Sequence, residues 1–214
     1  MLVIIQARTS SRRFKNKVMK LIYGKPLLWY VLQSVGKSKK IKKIVVATSN
    51  KKSDDKIVKF LIRNKIEVFR GSLHNVAKRL LEAAKIQKVK HFMRISADSP
   101  FIDYRIIDRS ININKKSNCK YDLITNVFPR SYPSGMSVEI IKTNLLKKML
   151  KFFSKFEKEH VTPFFYKNYN KFKIKNFKTT KKFKIKYSVD YPSDMRNLKK
   201  FFKNFNKNKR LIDL

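Results

Sequence analysis

Short apolar runs alternate with longer amphipathic segments through the first 120 residues of the chain. The apolar runs are too short for helices and predict buried strands: Leu2–Gln6, Lys43–Thr48, Glu67–Phe69 and His91–Ile95. Between them, apolar residues recur at helical spacing and predict helices: Pro26–Val35, a helix capped by Ser53 with Asp54 and Asp55 in its first turn, Leu73–Ile86 and Asp103–Ile113. Strands separated by helices of this length favour crossover connections, and therefore a mostly parallel sheet flanked by helices.

The pattern changes after about residue 120. Further strands and helices are predicted at 121–125, 137–142, 144–153, 157–169 and, for a last helix, 193–205. Residues 171–177 and 182–190 alternate Lys with apolar residues, which predicts two half-exposed strands and a hairpin between them. The chain has no Pro/Gly/Ser-rich linker and no internal repeat. We therefore interpret residues 1–214 as a single α/β domain with a small inserted β arm.

The formal net charge is +39, from 53 Lys and Arg against 14 Asp and Glu. A charge of this size attracts polyanions, so nucleic acid and anionic membranes are candidate partners. However, 41 of the basic residues are Lys, they are spread along the whole chain, and Asn and Phe are also frequent. This composition is typical of an A/T-rich genome. We favour compositional drift, with a nucleic-acid-binding surface as the weaker alternative.

The cellular compartment is indicated by two features. The single cysteine, Cys119, excludes an internal disulfide and fits a reducing compartment. The N-terminus does not have the pattern of a secretory leader, and no apolar run approaches the roughly 20 residues of a membrane-spanning helix. These features predict a cytoplasmic protein without a membrane span.

Candidate chemistry lies in the segments that follow the predicted strands, because ligands of open α/β sheets bind beyond the carboxyl ends of the strands. The first such segment presents Arg8, Ser11, Arg13 and Lys17, whose side chains suit phosphate oxygens. It contains no glycine, which most phosphate loops use to let the backbone approach the ligand. From spacing alone, this segment is either a phosphate site without glycine or a basic loop in a very basic chain.

Two aspartates end separate predicted strands in a chain that is poor in carboxylates: Asp98 in SADSP and Asp190 in SVDYPSDM. A pair of carboxylates suits Mg²⁺, which completes its coordination with phosphate and water. A turn or helix-capping role is the alternative for each aspartate. His160 follows Glu159 near the start of a predicted helix and is a candidate base or substrate contact, with a structural role as the alternative. Glu139 follows the tight turn of YPSG.

Seven motifs occur in the order found in a known family: VIIQARTSSRRFKNKVMKLIYGKPLL, VVATSNKKSDDKI, VFRGSLHNVAKRLLEAA, MRISADSPFID, YPSGMSVEI, EKEHVTP and YSVDYPSDM. In them the chain resembles the cytidylyltransferases of the spore-coat polysaccharide biosynthesis F type, which are related to the acylneuraminate and 3-deoxy-manno-octulosonate cytidylyltransferases. The resemblance covers Leu2 to about Phe202. It implies the nucleotide-diphospho-sugar transferase fold, GT-A-like and Rossmann-like. It also implies transfer of CMP from CTP to a sugar or sugar-acid acceptor, with release of pyrophosphate.

The same resemblance implies roles for individual residues. Catalysis would rest on Arg13, Lys17, Asp98 and Asp190, with the two aspartates as Mg²⁺ ligands. Further nucleotide contacts are expected from Gln6, Ala7, Arg8, Ser11, Thr48, Arg70, Ser72, Asn75 and Arg79. Acceptor contacts are expected from Arg94, Arg130, Tyr132, Gly135, Glu139 and His160. Where the family loop carries glycine this chain has Ser10 and Asn16, and Asn tolerates the left-handed conformation best among the other residues.

The resemblance further implies a homodimer, a dimerisation or acceptor arm at about residues 125–187, and a role in cell-surface polysaccharide or glycan biosynthesis. Two alternatives stay open. One is a glycosyltransferase on the same fold that uses a nucleotide-sugar donor, and the other is a non-catalytic protein that binds nucleic acid or another polyanion. The acceptor itself is not identified, because the chain has too many basic residues for one to stand out as the partner of a sugar carboxylate.

Overall fold

A computed structural model describes residues 1–183 and 186–207, without the side chains of residues 201–207. The strands are β1 (Leu2–Gln6), β2 (Leu21–Ile22), β3 (Lys25–Pro26), β4 (Lys43–Ser49), β5 (Glu67–Gly71), β6 (His91–Ser96), β7 (Leu123–Thr125), β8 (Glu139–Lys142) and β9 (Ile174–Asn176). The α-helices are α1 (Leu27–Gly36), α2 (Asp55–Arg63), α3 (Val76–Ile86), α4 (Tyr104–Lys116), α5 (Thr143–Met149), α6 (Lys155–His160), α7 (Pro163–Lys167) and α8 (Pro192–Lys207). The predicted alternation of strands and helices is confirmed.

Seven of the strands form one mixed sheet in the order β5-β4-β1-β6-β8-β7-β9. The first four of these run parallel, and Ile4 of β1 lies opposite Val45 on one side and Arg94 on the other. β8 is antiparallel to both of its neighbours, and β9 is parallel to β7. The predicted mostly parallel sheet flanked by helices is confirmed.

The chain direction across the sheet reverses at β1. From β1 the chain moves to β4 and β5 on one side, and then returns to place β6 on the other side of β1. In open α/β sheets the loops diverge at such a point and leave a crevice beyond the carboxyl ends of the two strands. The loops after β1 and β6, which carry Lys17 and Asp98, therefore border this crevice.

Both faces of the sheet are covered, which explains why the first four residues of β1 are all apolar. Val3 and Ile5 pack in one core with side chains of α1, α2 and α4. Leu2 and Ile4 point to the opposite face and pack in a second core with side chains of α3, α5 and α7. All four residues are at most 4% exposed. The alternation along one strand thus ties two helical layers to the sheet.

The helix starts differ from the sequence prediction at two places. Ser53 was predicted to cap α2, which is wrong, because a 3-10 turn spans Lys52–Asp54 and α2 begins at Asp55. Asp54 was predicted in the first turn of this helix, but it precedes α2 and its side chain is fully buried. α3 begins at Val76 and not at Leu73, because the side chain of Asn75 accepts a hydrogen bond from the backbone of Lys78 and caps the helix there.

The single helix predicted at 157–169 is wrong. α6 ends at His160, Val161 has a φ of 70°, and α7 starts at Pro163. A proline has no N–H to continue an existing helix but fits the first turn of a new one, so Pro163 separates the two helices. The helix predicted at 144–153 is also shorter, since α5 passes into a 3-10 turn at Leu150–Phe152.

The predicted β hairpin of 171–190 is wrong as well. β9 covers only Ile174–Asn176 and pairs with β7 in the main sheet. Residues 182–183 and 186–190 contain no strand, and residues 184–185 of the prediction lie outside the described residues. The last predicted helix is confirmed as α8. None of the helices in the described part of the chain combines the length and the apolarity needed to cross a bilayer.

Candidate functional site

The loop after β1 is a tight turn that replaces glycine with asparagine. Asn16 has a φ of 60°, the left-handed conformation that glycine adopts most easily, and its backbone N–H donates to the carbonyl of Thr9 at 2.8 Å. The predicted use of Asn16 in this conformation is confirmed. Ser10 is not among the residues with positive φ, so that position does not require glycine.

A buried carboxylate fastens this loop to the end of β4. Asp54 is fully buried and accepts five hydrogen bonds, from the backbone and hydroxyl of Thr9 (2.8 and 2.6 Å), the hydroxyl of Thr48 (3.0 Å), and the backbone and hydroxyl of Ser49 (3.1 and 2.5 Å). Burial alone would raise the pKa of Asp54, but these hydrogen bonds outweigh it and lower the pKa. Asp54 therefore positions the basic loop as an ionised group.

The crevice beyond β1 and β6 contains a cavity of about 570 Å³, called here the first cavity. Ten of the predicted site residues line it: Gln6, Ala7, Arg8, Ser11, Arg13, Lys17, Arg79, Arg94, Asp98 and His160. Residues 12, 96 and 159 also line it, although they were not predicted as site residues. Its surface is strongly basic, which suits an anionic ligand such as a phosphate chain.

The two aspartates predicted as metal ligands meet around Lys17. The Lys17 ammonium donates to Asp98 Oδ2 at 2.7 Å and to the carbonyl of Val189 at 2.7 Å, and it lies 3.6 Å from Asp190 Oδ1. Arg13 donates to the same Asp190 Oδ1 at 2.7 Å. Residues separated by more than 170 positions are thus brought to one point. The Lys17 side chain is only 9% exposed, and its ammonium lies between the two carboxylates.

The remaining oxygen of Asp190 also has a basic partner. The Lys186 ammonium lies 2.7 Å from Asp190 Oδ2 and 2.9 Å from Asp194 Oδ2. Asp194 in turn accepts from the backbone of Asp190 and Tyr191 and closes the turn that presents Asp190. Burial would raise the pKa of Asp190, but Lys186, Lys17 and Arg13 together lower it. Asp190 is therefore ionised at neutral pH.

These two carboxylates fit a magnesium ion. In the described residues no group of three or more His, Cys, Asp and Glu side chains forms a metal cage. Mg²⁺ does not need one, because it binds through one or two carboxylates and takes its other ligands from phosphate and water. The Lys17 ammonium lies between Asp98 and Asp190, and the two carboxylates favour a positive charge at that position. The donor set is compatible with Mg²⁺ bound together with a phosphate ligand.

Two further arginines of the first cavity, Arg8 and Arg79, differ in their partners. Arg8 donates to Glu159 Oε1 at 2.5 Å. Arg79 is 1% exposed, and burial together with the nearby Arg8 lowers its pKa to about 10. One of its terminal nitrogens donates to the carbonyl of Ser72 at 2.6 Å, whereas its Nε has no hydrogen-bond partner among the described residues. A buried guanidinium with an unused donor favours a ligand that brings acceptor atoms.

A second cavity of about 350 Å³ adjoins the first, since Arg94, Ser96, Asp98 and His160 line both. Four more of the predicted residues line it: Asp190, Arg130, Gly135 and Glu139. It also exposes residues that were not predicted, among them Phe156, Tyr166 and the serines at 99, 134, 137 and 188. This cavity is rich in hydroxyl groups, contains both aspartates, and has fewer basic side chains than the first cavity.

Arg94 and Glu139 form the boundary between the cavities. Arg94 donates to Glu139 and, through Nε, to the side chain of Gln6 at 2.9 Å. Glu139 also accepts a hydrogen bond from the Tyr166 hydroxyl at 2.7 Å. Burial, and to a smaller extent the nearby charge of Glu139, raises the pKa of Tyr166. His160 lies beside this boundary, and burial lowers its pKa, so that the imidazole is neutral at pH 7. Arg94 and Glu139 are paired with each other, whereas the hydrogen bonds that Arg130 makes to the described residues go to two backbone carbonyls and the Ser137 hydroxyl.

Five predicted residues do not line either cavity. Thr48 uses its hydroxyl on Asp54, and Asn75 caps α3. Arg70 pairs with Asp55 at 2.7 Å, and the Ser72 hydroxyl accepts from the backbone of Asn75. Tyr132 is 7% exposed and packs in the core, where its hydroxyl accepts from an arginine of α4. Their predicted ligand contacts stay predictions.

The residues that sequence reasoning missed had weak signals. Arg12 lies next to the predicted Arg13, and nothing in its spacing distinguishes the two. Asp54 appeared to belong to a helix start. Phe156 lies on α6 and Tyr166 on α7, whereas a single helix was predicted at 157–169, so the approach of Tyr166 to the second cavity depends on the break at Val161.

A protein family described as cytidylyltransferase matches residues 2–213 of the chain. An uncharacterized protein of Methanocaldococcus jannaschii is 37% identical over 172 residues, which cover 80% of this chain and 69% of that protein. The spore coat polysaccharide biosynthesis protein SpsF of Bacillus subtilis is 32% identical over 149 residues, 68% of this chain and 60% of that protein. A 3-deoxy-manno-octulosonate cytidylyltransferase of Wigglesworthia glossinidia brevipalpis is 28% identical over 182 residues, 82% of this chain and 70% of that enzyme.

Solved structures are similar over nearly the whole chain. A cytidylyltransferase from Leptospira borgpetersenii superposes with a TM-score of 0.88 at 27% identity and covers 98% of this chain and 95% of its own. A CMP:2-keto-3-deoxy-manno-octonic acid synthetase in complex with CTP superposes with a TM-score of 0.72 at 15% identity, with coverages of 95% and 98%. At that identity the second similarity concerns the fold alone. Together they confirm the predicted nucleotide-diphospho-sugar transferase fold.

Proposed function

Because the chain belongs to the cytidylyltransferase family, we propose that it transfers CMP from CTP to a sugar or sugar-acid acceptor and releases pyrophosphate. The single observation that carries this proposal is the convergence of Arg13, Lys17, Asp98 and Asp190 at the junction of two adjoining cavities. Nucleotidyl transfer needs cations for phosphate, carboxylates for a metal, and space for a donor and an acceptor on either side of the reacting phosphorus. By analogy with the relatives, the product would serve cell-surface polysaccharide or glycan biosynthesis.

In this proposal the first cavity takes CTP and the second takes the acceptor. Basic side chains of the β1 loop, together with Arg79, would receive the triphosphate and the nucleoside. The hydroxyls of the second cavity and Arg130 suit the hydroxyl groups and a negative group of an acceptor. The shared wall at Asp98 and His160 would then lie beside the reacting α-phosphate.

The metal in this proposal is Mg²⁺, held by Asp98 and Asp190. When bound, Mg²⁺ supplies positive charge for the α-phosphate oxygens and neutralises the charge that develops there. The chain's own part in the reaction is orientation and charge stabilisation. An acceptor oxygen attacks the α-phosphorus in line, the bond to the bridging oxygen of the β-phosphate breaks, and Arg13 and Lys17 stabilise the departing pyrophosphate. His160, neutral at pH 7, is suited to accept the proton of the attacking hydroxyl.

The test is a pyrophosphate-release screen of the four nucleoside triphosphates against a panel of sugar acids and sugar phosphates. We expect turnover with CTP and at least one acceptor, and a loss of at least about a hundredfold in Asp98→Asn and in Arg13→Ala. Glu82→Gln is the matched control, since Glu82 is a surface residue of α3 outside both cavities and should keep full turnover.

Three outcomes would speak against the proposal. Unchanged turnover in both variants would mean that the convergent site is not the reaction centre. Release of a nucleoside diphosphate from a nucleotide-sugar, without pyrophosphate release from CTP, would indicate a glycosyltransferase. Binding of DNA or RNA that falls steeply with salt and survives loss of Asp98 and Asp190, without any turnover, would indicate a polyanion-binding protein.

We propose in addition that the protein acts in the cytoplasm as a homodimer, with residues 125–187 as the dimerisation or acceptor arm. The support for the compartment is the single cysteine, and the support for the dimer is the family resemblance. Light scattering coupled to size-exclusion chromatography measures the mass directly. A mass equal to one 25.5 kDa chain at micromolar concentration would contradict the dimer.

A further inference from the structure

The proposed metal carboxylates are already occupied by cations of the chain itself. Asp98 Oδ2 is bound by Lys17, Asp190 Oδ1 by Arg13 with Lys17 at 3.6 Å, and Asp190 Oδ2 by Lys186. In the described part of the chain, Asp98 Oδ1 has no basic partner at ion-pair distance, and its neighbour is the Ser99 hydroxyl at 3.4 Å. A divalent cation that binds these aspartates therefore competes with ammonium and guanidinium groups.

The groups that would leave differ in their freedom to move. The Arg13 side chain is 56% exposed and lies over the ring of Tyr191, with the guanidinium carbon 5.3 Å from the ring centroid. The Lys17 side chain is 9% exposed and, besides its bond to Asp98, donates a second hydrogen bond to the backbone carbonyl of Val189. Lys186 is shared between Asp190 and Asp194, so it stays anchored even if Asp190 turns. Arg13 is the partner of Asp190 that can leave most easily.

A triphosphate offers Arg13 a stronger partner than Asp190. It carries several negative charges and matches the guanidinium with two acceptor oxygens, whereas Asp190 Oδ1 takes a single bond from Arg13. Arg13 and the phosphate chain would meet in the same place, because Arg13 lines the first cavity. Each guanidinium bond transferred to phosphate uncovers one carboxylate oxygen for the metal.

Building on the proposed function, we propose that the nucleotide-free protein keeps its metal site closed with Arg13 and Lys17, and that CTP opens it. The triphosphate draws Arg13, and Lys17 after it, away from the aspartates. The metal and the nucleotide then each raise the affinity of the protein for the other. This coupling adds to the direct binding of the metal to the triphosphate in solution. Lys186 stays on Asp190 Oδ2 and leaves Oδ1 as the oxygen that turns toward the metal.

The test measures binding and needs no turnover. Mn²⁺, used as the paramagnetic substitute for Mg²⁺, is titrated into the nucleotide-free protein and followed by electron paramagnetic resonance. CTP is titrated separately in the presence of a chelator and followed by calorimetry. We expect Arg13→Gln to bind Mn²⁺ about fivefold more tightly than the wild type and to bind metal-free CTP at least about fivefold more weakly.

The matched control is Arg12→Gln. Arg12 lines the same cavity and carries the same charge, but it has no carboxylate partner at ion-pair distance among the described residues. It should change the Mn²⁺ affinity by less than about twofold, which separates exchange at Asp190 from the general effect of removing one positive charge. In Asp190→Asn, whose fold is checked by circular dichroism, the released Arg13 should strengthen metal-free CTP binding.

Opposite changes in the two affinities of Arg13→Gln are the signature of exchange. A merely structural role of Arg13 would weaken both, and a simple phosphate contact would leave Mn²⁺ binding unchanged, so either result overturns the inference. Equal gains in Mn²⁺ affinity for Arg13→Gln and Arg12→Gln overturn it too. If wild-type protein does not bind CTP at all, the proposed function itself fails, which is a different result from CTP binding without exchange.

Discussion

The two adjoining cavities are shaped by different interactions. The first cavity is shaped by charge, because Asp54 fastens the β1 loop to β4 and the loop then presents its cations toward Asp98 and Asp190. The second cavity is shaped by close backbone contact and aromatic side chains, from Gly135 on one side to Phe156 on the other. The first should therefore respond to changes of charge, and the second to changes of volume.

This difference shows how a single site can hold a constant donor and a variable acceptor. Charged groups at the ends of parallel strands recognise phosphate whatever is attached to it. About half of the residues that line the second cavity belong to segments outside the sheet, namely 130–137 and 156–166. Substitutions there change the shape of one cavity and leave the cation cluster of the other in place.

The largest effect is expected for Asp54→Asn, which removes the charge that holds the first cavity. Five donors point at this carboxylate, and the amide nitrogen of asparagine would face some of them without offering an acceptor. We expect the free energy of unfolding to fall by about 4 kcal/mol, as for several unpaired buried donors. Urea unfolding at pH 7 measures it. Asp55→Asn is the control, since Asp55 forms a half-exposed ion pair with Arg70 and should cost less than about 1 kcal/mol.

The comparison of the wild type with Asp54→Asn also predicts how the free energy of unfolding depends on pH. Although burial acts in the opposite direction, hydrogen bonding lowers the pKa of Asp54 below its usual value of 3.8. A lowered pKa in the folded state gives stability that is fully present above 3.8 and is lost as the pH falls through the folded value. The stability gap between wild type and Asp54→Asn should stay constant from neutral pH to about pH 5 and narrow in stronger acid. A gap that widens in acid would contradict the ionised role of Asp54.

Gly135→Ala is expected to have the next largest effect and to act on the second cavity. Gly135 has a φ of +96°, and an added Cβ would lie 2.4 Å from the carbonyl carbon of Tyr187, in the segment that leads to Asp190. Backbone strain together with this overlap should cost about 3 kcal/mol in the free energy of unfolding. Urea unfolding and the KM for the acceptor measure the two consequences.

Gly36→Ala is the control for that substitution. Gly36 ends α1, has no left-handed φ, and has no atom within 4 Å of an added Cβ. Its replacement should leave the stability unchanged or raise it by up to about 1 kcal/mol. If the two alanine variants are equally stable, the contact of Gly135 with the backbone of residues 187–188 is not what closes the second cavity.

The sheet and the first cavity could be predicted from sequence because their signals are local. An apolar run such as Leu2–Gln6 defines a buried strand by itself, and the residues after it must lie at the carboxyl edge of the sheet. The cations of the β1 loop and Asp98 follow directly from this rule. Even the turn at Asn16 was predictable, because few residues other than glycine accept its backbone conformation.

The second cavity could not be predicted in the same way because it depends on long-range packing. Pro163 marks a helix boundary locally, but the break between α6 and α7 also requires a positive φ at Val161, a conformation that its β-branched side chain disfavours in isolation. The alternating Lys and apolar residues after position 171 predicted a hairpin. Instead, the strand there covers only Ile174–Asn176 and pairs with β7 of the main sheet. Asp54 was misassigned for a similar reason, since its partner Thr9 lies 45 residues away.

The smallest effect is expected for Phe156→Ala, which tests whether the second cavity recognises the acceptor by shape. Phe156 is 61% exposed, lines this cavity, and its ring centroid lies 4.4 Å from that of His160. An exposed aromatic ring beside hydroxyl groups suits the apolar face of a sugar ring. Losing this contact should raise the KM for the acceptor about fivefold, equivalent to about 1 kcal/mol, with the KM for CTP unchanged.

Phe152→Ala gives the matched comparison for Phe156→Ala. Phe152 is 59% exposed and lies four residues earlier in the chain, but it lines neither cavity. Both variants remove one exposed phenyl ring, so their stabilities should be similar, and only Phe156→Ala should weaken the acceptor that gives the highest turnover in the pyrophosphate screen. If both variants change that KM equally, or if Phe156→Ala changes the KM for CTP instead, then the two cavities do not divide donor from acceptor along the boundary of Arg94 and Glu139.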